Sequence, residues 1–303
     1  MRVLVTGASG LIGSAVCDTL LARGDEVAGL SREPARARSS HPTVAWHAWN
    51  PVHERPPEAA FEGVDAVVNL IGESIDQRLT PAAKQRIRDS RVRATKNLVD
   101  GMLAAPATPG VLVSQCAVGY YGDRGEGMVD ESTPPAEDWT GQLCRDWENA
   151  ALAAADSGIR VAVLRSAPVL DPDGGLLKQL LLPFKLGVGG PLAGGRQYMP
   201  WIHRDDDVGM ILWALERAEV EGPLNAAAPG AVTNREFSKA LGKVLGRPAV
   251  MPVPRLALVA LRGEELADQV LGSIRVVPRR ALDLGYTFHF AELERALRDL
   301  LRR

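Results

Sequence analysis

Short apolar runs alternate along this chain with longer segments in which apolar residues recur every three or four positions. Most of the short runs carry three or four consecutive apolar residues, as strands buried on both faces of a sheet do. We predict seven strands, at residues 3–6, 26–31, 44–49, 64–70, 110–116, 160–165 and 224–228. The alternation of strands with helices predicts an α/β fold built on a doubly wound parallel sheet.

Local signals mark several of the predicted helix ends. Gly24 is suited to end the first helix, because glycine readily adopts the left-handed conformation found after helix ends. Thr80 precedes a proline, which favours the first helical position. Thr233 and Glu236 have the spacing of a capping box, and Gly246 is placed to end the helix that they begin.

The regular alternation weakens after about residue 171. A turn is predicted over residues 171–175, a glycine-rich loop over 187–195 and a final amphipathic helix over 291–301. We interpret this region as a smaller substrate lobe assembled from separate pieces. The predicted division is a sheet domain over residues 1–174 plus about 200–228, and a C-terminal lobe over about 175–199 and 229–303.

Composition and charge restrict the function. The chain has 303 residues, of which 46% are hydrophobic and 24% charged, with a net charge of −2. Nucleic-acid binding requires a basic face, so this near-neutral balance argues against it. No apolar run is long enough to span a bilayer, and we predict no membrane partner. Cys17, Cys116 and Cys144 form neither a disulfide framework nor a metal-ligand spacing, which favours a reducing cytoplasm and no metal site.

Three glycines at intervals of three residues follow the first predicted strand. Gly7 permits a tight strand-to-helix turn, Gly10 lets the backbone approach a pyrophosphate, and Gly13 lets the helix pack closely on the strand. Free N–H groups at the helix start then bind the phosphates. The alternative is a plain strand–helix turn. We predict a Rossmann-type dinucleotide site whose phosphate-binding residues are Gly7, Ser9, Gly10, Leu11, Ile12 and Gly13.

The end of the second predicted strand indicates which dinucleotide is bound. An NAD site usually has an acidic residue there, bonded to the ribose 2′-hydroxyl. This chain has Ser31 and Arg32 instead, with Arg36 and Arg38 just beyond. A guanidinium favours a 2′-phosphate, so we predict NADP(H). The alternative is that these arginines belong to a solvated loop.

Taken together, the motifs resemble those of the extended short-chain dehydrogenase/reductase family, over nearly the whole chain. The glycine spacing matches, and the segment Leu70-Ile71-Gly72-Glu73 is similar to the family's segment beside the adenine ribose. A narrower set includes residues 118–122, 144–148 and 194–203. It resembles an atypical subgroup labelled "epimerase family protein", which carries a C-terminal domain of unknown function, here roughly residues 251–300.

The resemblance implies a catalytic Asn–Ser–Tyr–Lys set, most of which this chain lacks. Ser114 is at the expected strand end, where the resemblance implies a polar ligand to nicotinamide or substrate. Arg91 occupies the asparagine position, and no tyrosine has a lysine four residues later. Tyr121 is a candidate replacement acid, the alternative being that it packs at the strand end. Cys144, near the lysine position, is a weaker candidate thiol.

Two further features bear on the substrate. Met199 stands where sugar-nucleotide members have an arginine for the substrate diphosphate, which argues against a nucleotide-sugar substrate. His203 is interpreted as a structural histidine at a strand end, and residues 205–207 as the start of a helix.

The sequence supports two hypotheses. The first is an NADP-dependent oxidoreductase or epimerase acting on a small carbonyl or hydroxyl compound. The second is a non-catalytic NADP(H)-binding sensor or protein-interaction module, suggested by the missing tyrosine and lysine. Homodimers are common in the family that the chain resembles.

Overall fold

The computed structural model describes residues 1–302. A seven-stranded parallel sheet lies at its centre, in the order β3-β2-β1-β4-β5-β6-β7. The strands are β1 (Arg2–Thr6), β2 (Glu26–Ser31), β3 (Ala45–Ala48), β4 (Ala66–Asn69), β5 (Val111–Ala117), β6 (Arg160–Ser166) and β7 (Gly222–Ala226). The doubly wound parallel fold predicted from the apolar runs is therefore confirmed. Strand order reverses between β1 and β4, and ligands of such sheets bind at the carboxyl edge beside that reversal.

Helices cover both faces of the sheet. They are α1 (Leu11–Ala22), α2 (Pro34–Ser40), α3 (Pro81–Arg88), α4 (Ala94–Ala104), α5 (Trp139–Leu152), α6 (Gly175–Lys185), α7 (Arg204–Glu216), α8 (Asn234–Leu245), α9 (Arg255–Arg262), α10 (Glu264–Leu271), α11 (Arg279–Asp283) and α12 (Leu293–Arg302). Val16 of α1 and Ile211 of α7 belong to the apolar core on one face. Leu98 of α4 and Trp147 of α5 belong to the core on the other.

The helix ends follow the local signals in the sequence. The hydroxyl of Thr80 accepts a hydrogen bond from the N–H of Ala83, and Thr233 forms a complete capping box with Glu236. Gly246 ends α8 in the left-handed conformation, with φ of +64°. These signals were predictable because each depends on residues within one helical turn.

A third core lies among the C-terminal elements. It contains Leu177 and Phe184 of α6, Phe237 of α8 and Leu297 of α12. Three pairs of two-residue strands tie the later chain to the earlier one: Met128–Val129 with Arg275–Val276, Val169–Leu170 with Ile202–His203, and Tyr198–Met199 with Val232–Thr233. The division into two lobes stays a prediction.

Neither α9 nor α10 contributes to any of the three cores. None of the residues of α9 is buried, although six of its eight residues are leucine, alanine or valine. No helix within residues 1–302 is both long enough and apolar enough to cross a bilayer.

Candidate cofactor and active site

The loop between β1 and α1 is shaped by its glycines. Gly7 has φ of +64°, and a Cβ there would lie 2.7 Å from the carbonyl oxygen of Leu70. A Cβ on Gly13 would overlap the backbone of Gly7. Gly10 is less restricted, because its Cβ would meet only the Gly7 carbonyl oxygen, at 3.1 Å. The loop thus needs Gly7 and Gly13 to fold, whereas Gly10 leaves space in front of the helix.

The N-terminus of α1 is open. Its N-cap is Gly10, so no side chain caps the helix, and the first turn holds no acidic residue. Ser9 and Leu11 beside it are exposed, and Ile12 is half-buried. Uncapped N–H groups at a helix start carry a partial positive charge and bind anions.

Basic side chains follow β2 at the same edge of the sheet. Arg32 is exposed and takes part in no ion pair within the described residues, whereas Arg36 lies 3.6 Å from Glu33. The hydroxyl of Ser31 accepts a hydrogen bond from the N–H of Glu33 and fixes the start of this turn. The guanidinium of Arg32 is therefore available to an external anion.

The segment after β4 forms the other side of the glycine loop. The N–H of Leu70 donates to the hydroxyl of Thr6 at 3.0 Å, which joins the ends of β1 and β4. Ile71 and Glu73 are half-buried and Gly72 is exposed. Hydrogen bonds from Gln77 and Arg86 hold the pKa of the Glu73 carboxyl below its usual range.

The side chain of Arg91 holds the segment Leu70–Glu73 in place. Its Nη1 donates to the carbonyl oxygen of Glu73 at 2.8 Å, and a Cβ on Gly72 would lie 3.1 Å from its guanidinium carbon. The guanidinium also lies over the ring of Trp147, 5.1 Å from its centroid. Arg91 sits in a short π-helical turn, Asp89–Arg93. Such turns are frequent at functional sites, and this one carries the arginine that contacts the segment beside the glycine loop.

Ser114 belongs to a buried hydrogen-bonded network. Asn69 donates through Nδ2 to the hydroxyls of Ser114 at 3.1 Å and Thr95 at 3.0 Å, and accepts from Thr6 at 2.8 Å. Ser114 is only 1% exposed. Ser114 lies in the middle of β5, level with Asn69 at the end of β4, and not at the strand end that the sequence led us to expect; protein surrounds it.

Tyr121 is also enclosed. It is fully buried; its hydroxyl donates to Oδ1 of Asn225 at 2.6 Å and accepts from Arg165 at 2.9 Å. Arg165 in turn forms two hydrogen bonds with Glu148, at 2.7 and 2.9 Å. Burial raises the pKa of Tyr121. This geometry gives the proposed proton transfer by Tyr121 no support, since a substrate cannot reach the hydroxyl without breaking the network.

The neighbouring tyrosine, which the sequence reasoning missed, is more accessible. Tyr120 is half-buried, and the guanidinium carbon of Arg165 lies 3.6 Å from the centroid of its ring. Burial raises the pKa of Tyr120, and the charge of Arg165 opposes that rise. Its position three residues beyond the end of β5, in the 3-10 turn Val118–Tyr120, was visible in the sequence, but its long-range contact with Arg165 was not.

The resemblance places the family's tyrosine near residues 139–141 and its lysine near Cys144, and two residues of this stretch face Gly119. A Cβ on that glycine would lie 2.8 Å from Cγ2 of Thr140 and 3.8 Å from Sγ of Cys144. Gln269 of α10 donates to the hydroxyl of Thr140 at 2.5 Å. Cys144 is a free, buried cysteine, like Cys17 and Cys116, which does not suit a reactive thiol.

A buried carboxyl, that of Asp207, contacts side chains of β5 and β6. Asp207 in the first turn of α7 accepts hydrogen bonds from Ser166 and from Gln115, each at 2.8 Å. It is fully buried, and burial raises its pKa to about 6. Asp207 and its two neighbours, Asp205 and Asp206, lie in the first turn of α7, as predicted.

One group of side chains within residues 1–302 has a ligand-like spacing. Atoms of His203, Asp205 and Asp299 lie within 4.8 Å of one another. However, Nδ1 of His203 accepts a hydrogen bond from the N–H of Asp205 at 3.0 Å, which assigns the ring proton to Nε2, 3.4 Å from Asp299. A metal at Nε2 would have to displace that proton. The arrangement fits a buried N-cap for α7.

Comparison with known proteins adds to this geometry. Residues 3–227 match the model of the NAD dependent epimerase/dehydratase family, and residues 253–300 match a domain of unknown function, DUF1731. "Epimerase family protein SDR39U1 homolog, chloroplastic" from Arabidopsis thaliana is 39% identical, over 100% of this chain and 87% of that protein. The human epimerase family protein SDR39U1 is 37% identical, over 99% of this chain and 100% of that one.

A solved structure is similar throughout. The crystal structure of human SDR39U1 (isoform 2) with NADPH has a TM-score of 0.89 and 36% identity to this chain, and covers 100% of both chains.

Proposed function

This chain belongs to the NAD-dependent epimerase/dehydratase family, and from that premise we propose that it binds NADP(H) and transfers hydride to or from a small carbonyl or hydroxyl compound. The observation that carries the proposal is the open N-terminus of α1 together with Arg32 at the same sheet edge, which forms no ion pair within residues 1–302. This pair of features suits a pyrophosphate and a separate phosphate on one ligand.

Each part of the cofactor has a proposed partner. The N–H groups of Ser9, Leu11, Ile12 and Gly13 bind the pyrophosphate, while the N–H of Gly10 donates to the carbonyl oxygen of Gly7 and the missing side chain of Gly10 allows close approach. Ser31 and Arg32 bind the 2′-phosphate, for which a guanidinium is well suited. The backbone of Leu70–Glu73, held by Arg91, lines the adenine ribose. That the human relative was crystallised with NADPH supports this assignment.

The nicotinamide ring supplies the hydride chemistry when bound. The chain must then hold a proton near the substrate oxygen, and we propose Tyr120 for this role. Its raised pKa keeps the hydroxyl protonated at neutral pH, and the guanidinium of Arg165, 3.6 Å from the ring, stabilises the phenolate that remains after donation. Ser114 and Tyr121 shape the site through their buried hydrogen bonds.

Titration calorimetry with NADPH and NADH tests the cofactor assignment. We expect NADPH to bind more tightly; equal affinity would contradict the assignment of Arg32 to a phosphate. Binding of neither would contradict the proposal as a whole.

A screen of small aldehydes, ketones and alcohols for cofactor oxidation or reduction tests the reaction. Once a substrate is found, Tyr120→Phe should lower kcat at least tenfold with unchanged NADPH affinity. The matched variant Tyr121→Phe should lower thermal stability with less effect on kcat. The reverse pattern would return the proton-donor role to Tyr121.

A second candidate function is a non-catalytic NADP(H) sensor. This function is favoured because the chain lacks the catalytic tyrosine and lysine of the family. Cys144, near the lysine position, is buried, and the nearby Thr140 is hydrogen-bonded to Gln269. Tight NADPH binding without hydride transfer to any compound would support the sensor over the enzyme. The free, buried cysteines support a reducing compartment, which we propose to be the cytoplasm.

A further inference from the structure

Exposed apolar side chains are concentrated in two segments of the C-terminal part. Thirteen large apolar side chains are exposed within residues 1–302, and seven of them lie in residues 174–203 and 239–262. These seven are Leu182, Leu186, Val188, Val250, Met251, Leu256 and Leu261. Single exposed apolar residues are ordinary, but a cluster of this kind marks an interaction surface.

The two segments lie against each other. The N–H of Val253 donates to the carbonyl oxygen of Pro191 at 3.0 Å, and Gly190 packs against the backbone of Met251. At the other end, Arg262 of α9 donates to Gln179 of α6 at 2.9 Å. Helices α6 and α9 are therefore neighbours, and the seven apolar side chains lie around them. We call this surface the α6–α9 face.

The two segments that form the α6–α9 face carry charges of one sign. Residues 174–203 and 239–262 contain eight lysines and arginines and no aspartate or glutamate, in a chain with a net charge of −2. Three of the eight, Lys243, Arg255 and Arg262, pair with acids of neighbouring segments that border the face. Lys178, Lys185 and Arg247 are exposed and form no ion pair in the described part of the chain. The face thus combines protruding leucines with unneutralised cations.

We propose that the α6–α9 face docks on the surface of a lipid bilayer that contains anionic headgroups. Stable peripheral binding requires two contributions, insertion of apolar side chains and attraction of basic residues to anionic lipid, and both are present on this face. Helix α9 can supply the first, since none of its residues is buried in the protein. The sequence-based expectation of no membrane partner concerned a spanning segment, which this mode of binding does not use.

Sedimentation of the full chain with vesicles tests the proposal. Vesicles of phosphatidylcholine alone are compared with vesicles of equal parts phosphatidylcholine and phosphatidylglycerol. We expect binding to the mixed vesicles, lost at high salt because the headgroup attraction is screened. The double variant Lys178→Ser, Lys185→Ser should bind the mixed vesicles more weakly, by about fivefold for each cation removed.

The contribution of apolar side chains to vesicle binding is tested with Leu256→Glu and Leu261→Glu. Each should weaken binding at least tenfold, while Leu103→Glu, at a leucine of α4 that is 40% exposed, should have no effect. Because α9 has no buried residue, these variants should fold. Unchanged NADPH affinity in the calorimeter, with unchanged circular dichroism, checks this.

Three outcomes would overturn the proposal. They are no binding to the mixed vesicles, equal binding to both kinds of vesicle, and binding that the leucine variants do not reduce. If sedimentation equilibrium instead shows a dimer that Leu256→Glu disrupts, the face is an interface between two copies of this chain and the bilayer assignment is wrong.

Discussion

Replacing Arg32 with alanine is the sharpest single test of the cofactor site. The guanidinium is exposed and makes no ion pair within residues 1–302, so its removal leaves no buried charge unpaired and should not unfold the chain. A hydrogen bond to a charged group contributes about 1.5–3 kcal/mol, which corresponds to roughly a 10- to 150-fold loss of affinity. NADH lacks the 2′-phosphate, so its affinity should change by less than about twofold.

The assay is calorimetric titration of each cofactor at two salt concentrations. The ratio of NADPH to NADH affinity in the native chain should shrink as salt is added, because the Arg32 contact is exposed. Arg217→Ala is the matched control. Arg217 is also exposed, and it pairs with Glu219 near the far edge of the sheet. Equal losses for NADPH and NADH in Arg32→Ala would refute the assignment of Arg32 to the 2′-phosphate.

Three other substitutions test separate parts of the structure. Gly10→Val should abolish cofactor binding in a folded chain, because the new side chain projects into the space before α1 while the loop keeps Gly7 and Gly13; wild-type affinity by calorimetry would contradict the glycine assignment. Glu148→Ala should lower the free energy of unfolding by about 3–5 kcal/mol in a urea titration, since it leaves the guanidinium of Arg165, 3% exposed, buried without its carboxylate. A loss below about 1 kcal/mol would refute that reasoning. Burial raises the pKa of Asp207 from its usual 3.8 to about 6, so the folded state loses about 3 kcal/mol of stability as the pH rises through this interval. Asp207→Asn should therefore gain stability relative to the native chain between pH values of about 4 and 7, and a constant difference would show that burial does not shift this carboxyl.

Much of the fold was predictable because its signals are local. The strands were visible as apolar runs, and Thr80, Thr233 and Gly246 mark helix ends through contacts within one turn. The glycine loop was predictable for the same reason, since Gly7, Gly10 and Gly13 act on the turn that contains them.

The catalytic part of the site could not be predicted in this way. The burial of Tyr121 depends on Arg165 and Asn225, which are 44 and 104 residues away in sequence. The bond from Gln269 to Thr140 spans 129 residues. No pattern within a short window encodes such contacts, and a tyrosine at a strand end has the same local sequence whether it is enclosed or accessible.

The contacts that attach α9 to the rest of the chain also bear on the local stability of this helix. Helix α9 buries no residue and is held to the rest of the chain by exposed polar contacts, among them Arg78 to the carbonyl oxygen of Ala260 and Arg262 to Asp76, whereas α10 buries Leu266 and Ala267. These contacts can break without opening any of the three cores. The amides of α9 should therefore exchange with deuterated solvent far sooner than those of β5, by local opening and not by global unfolding. One exchange experiment should therefore give two separate free energies of opening, a low one for α9 and a high one for the central sheet.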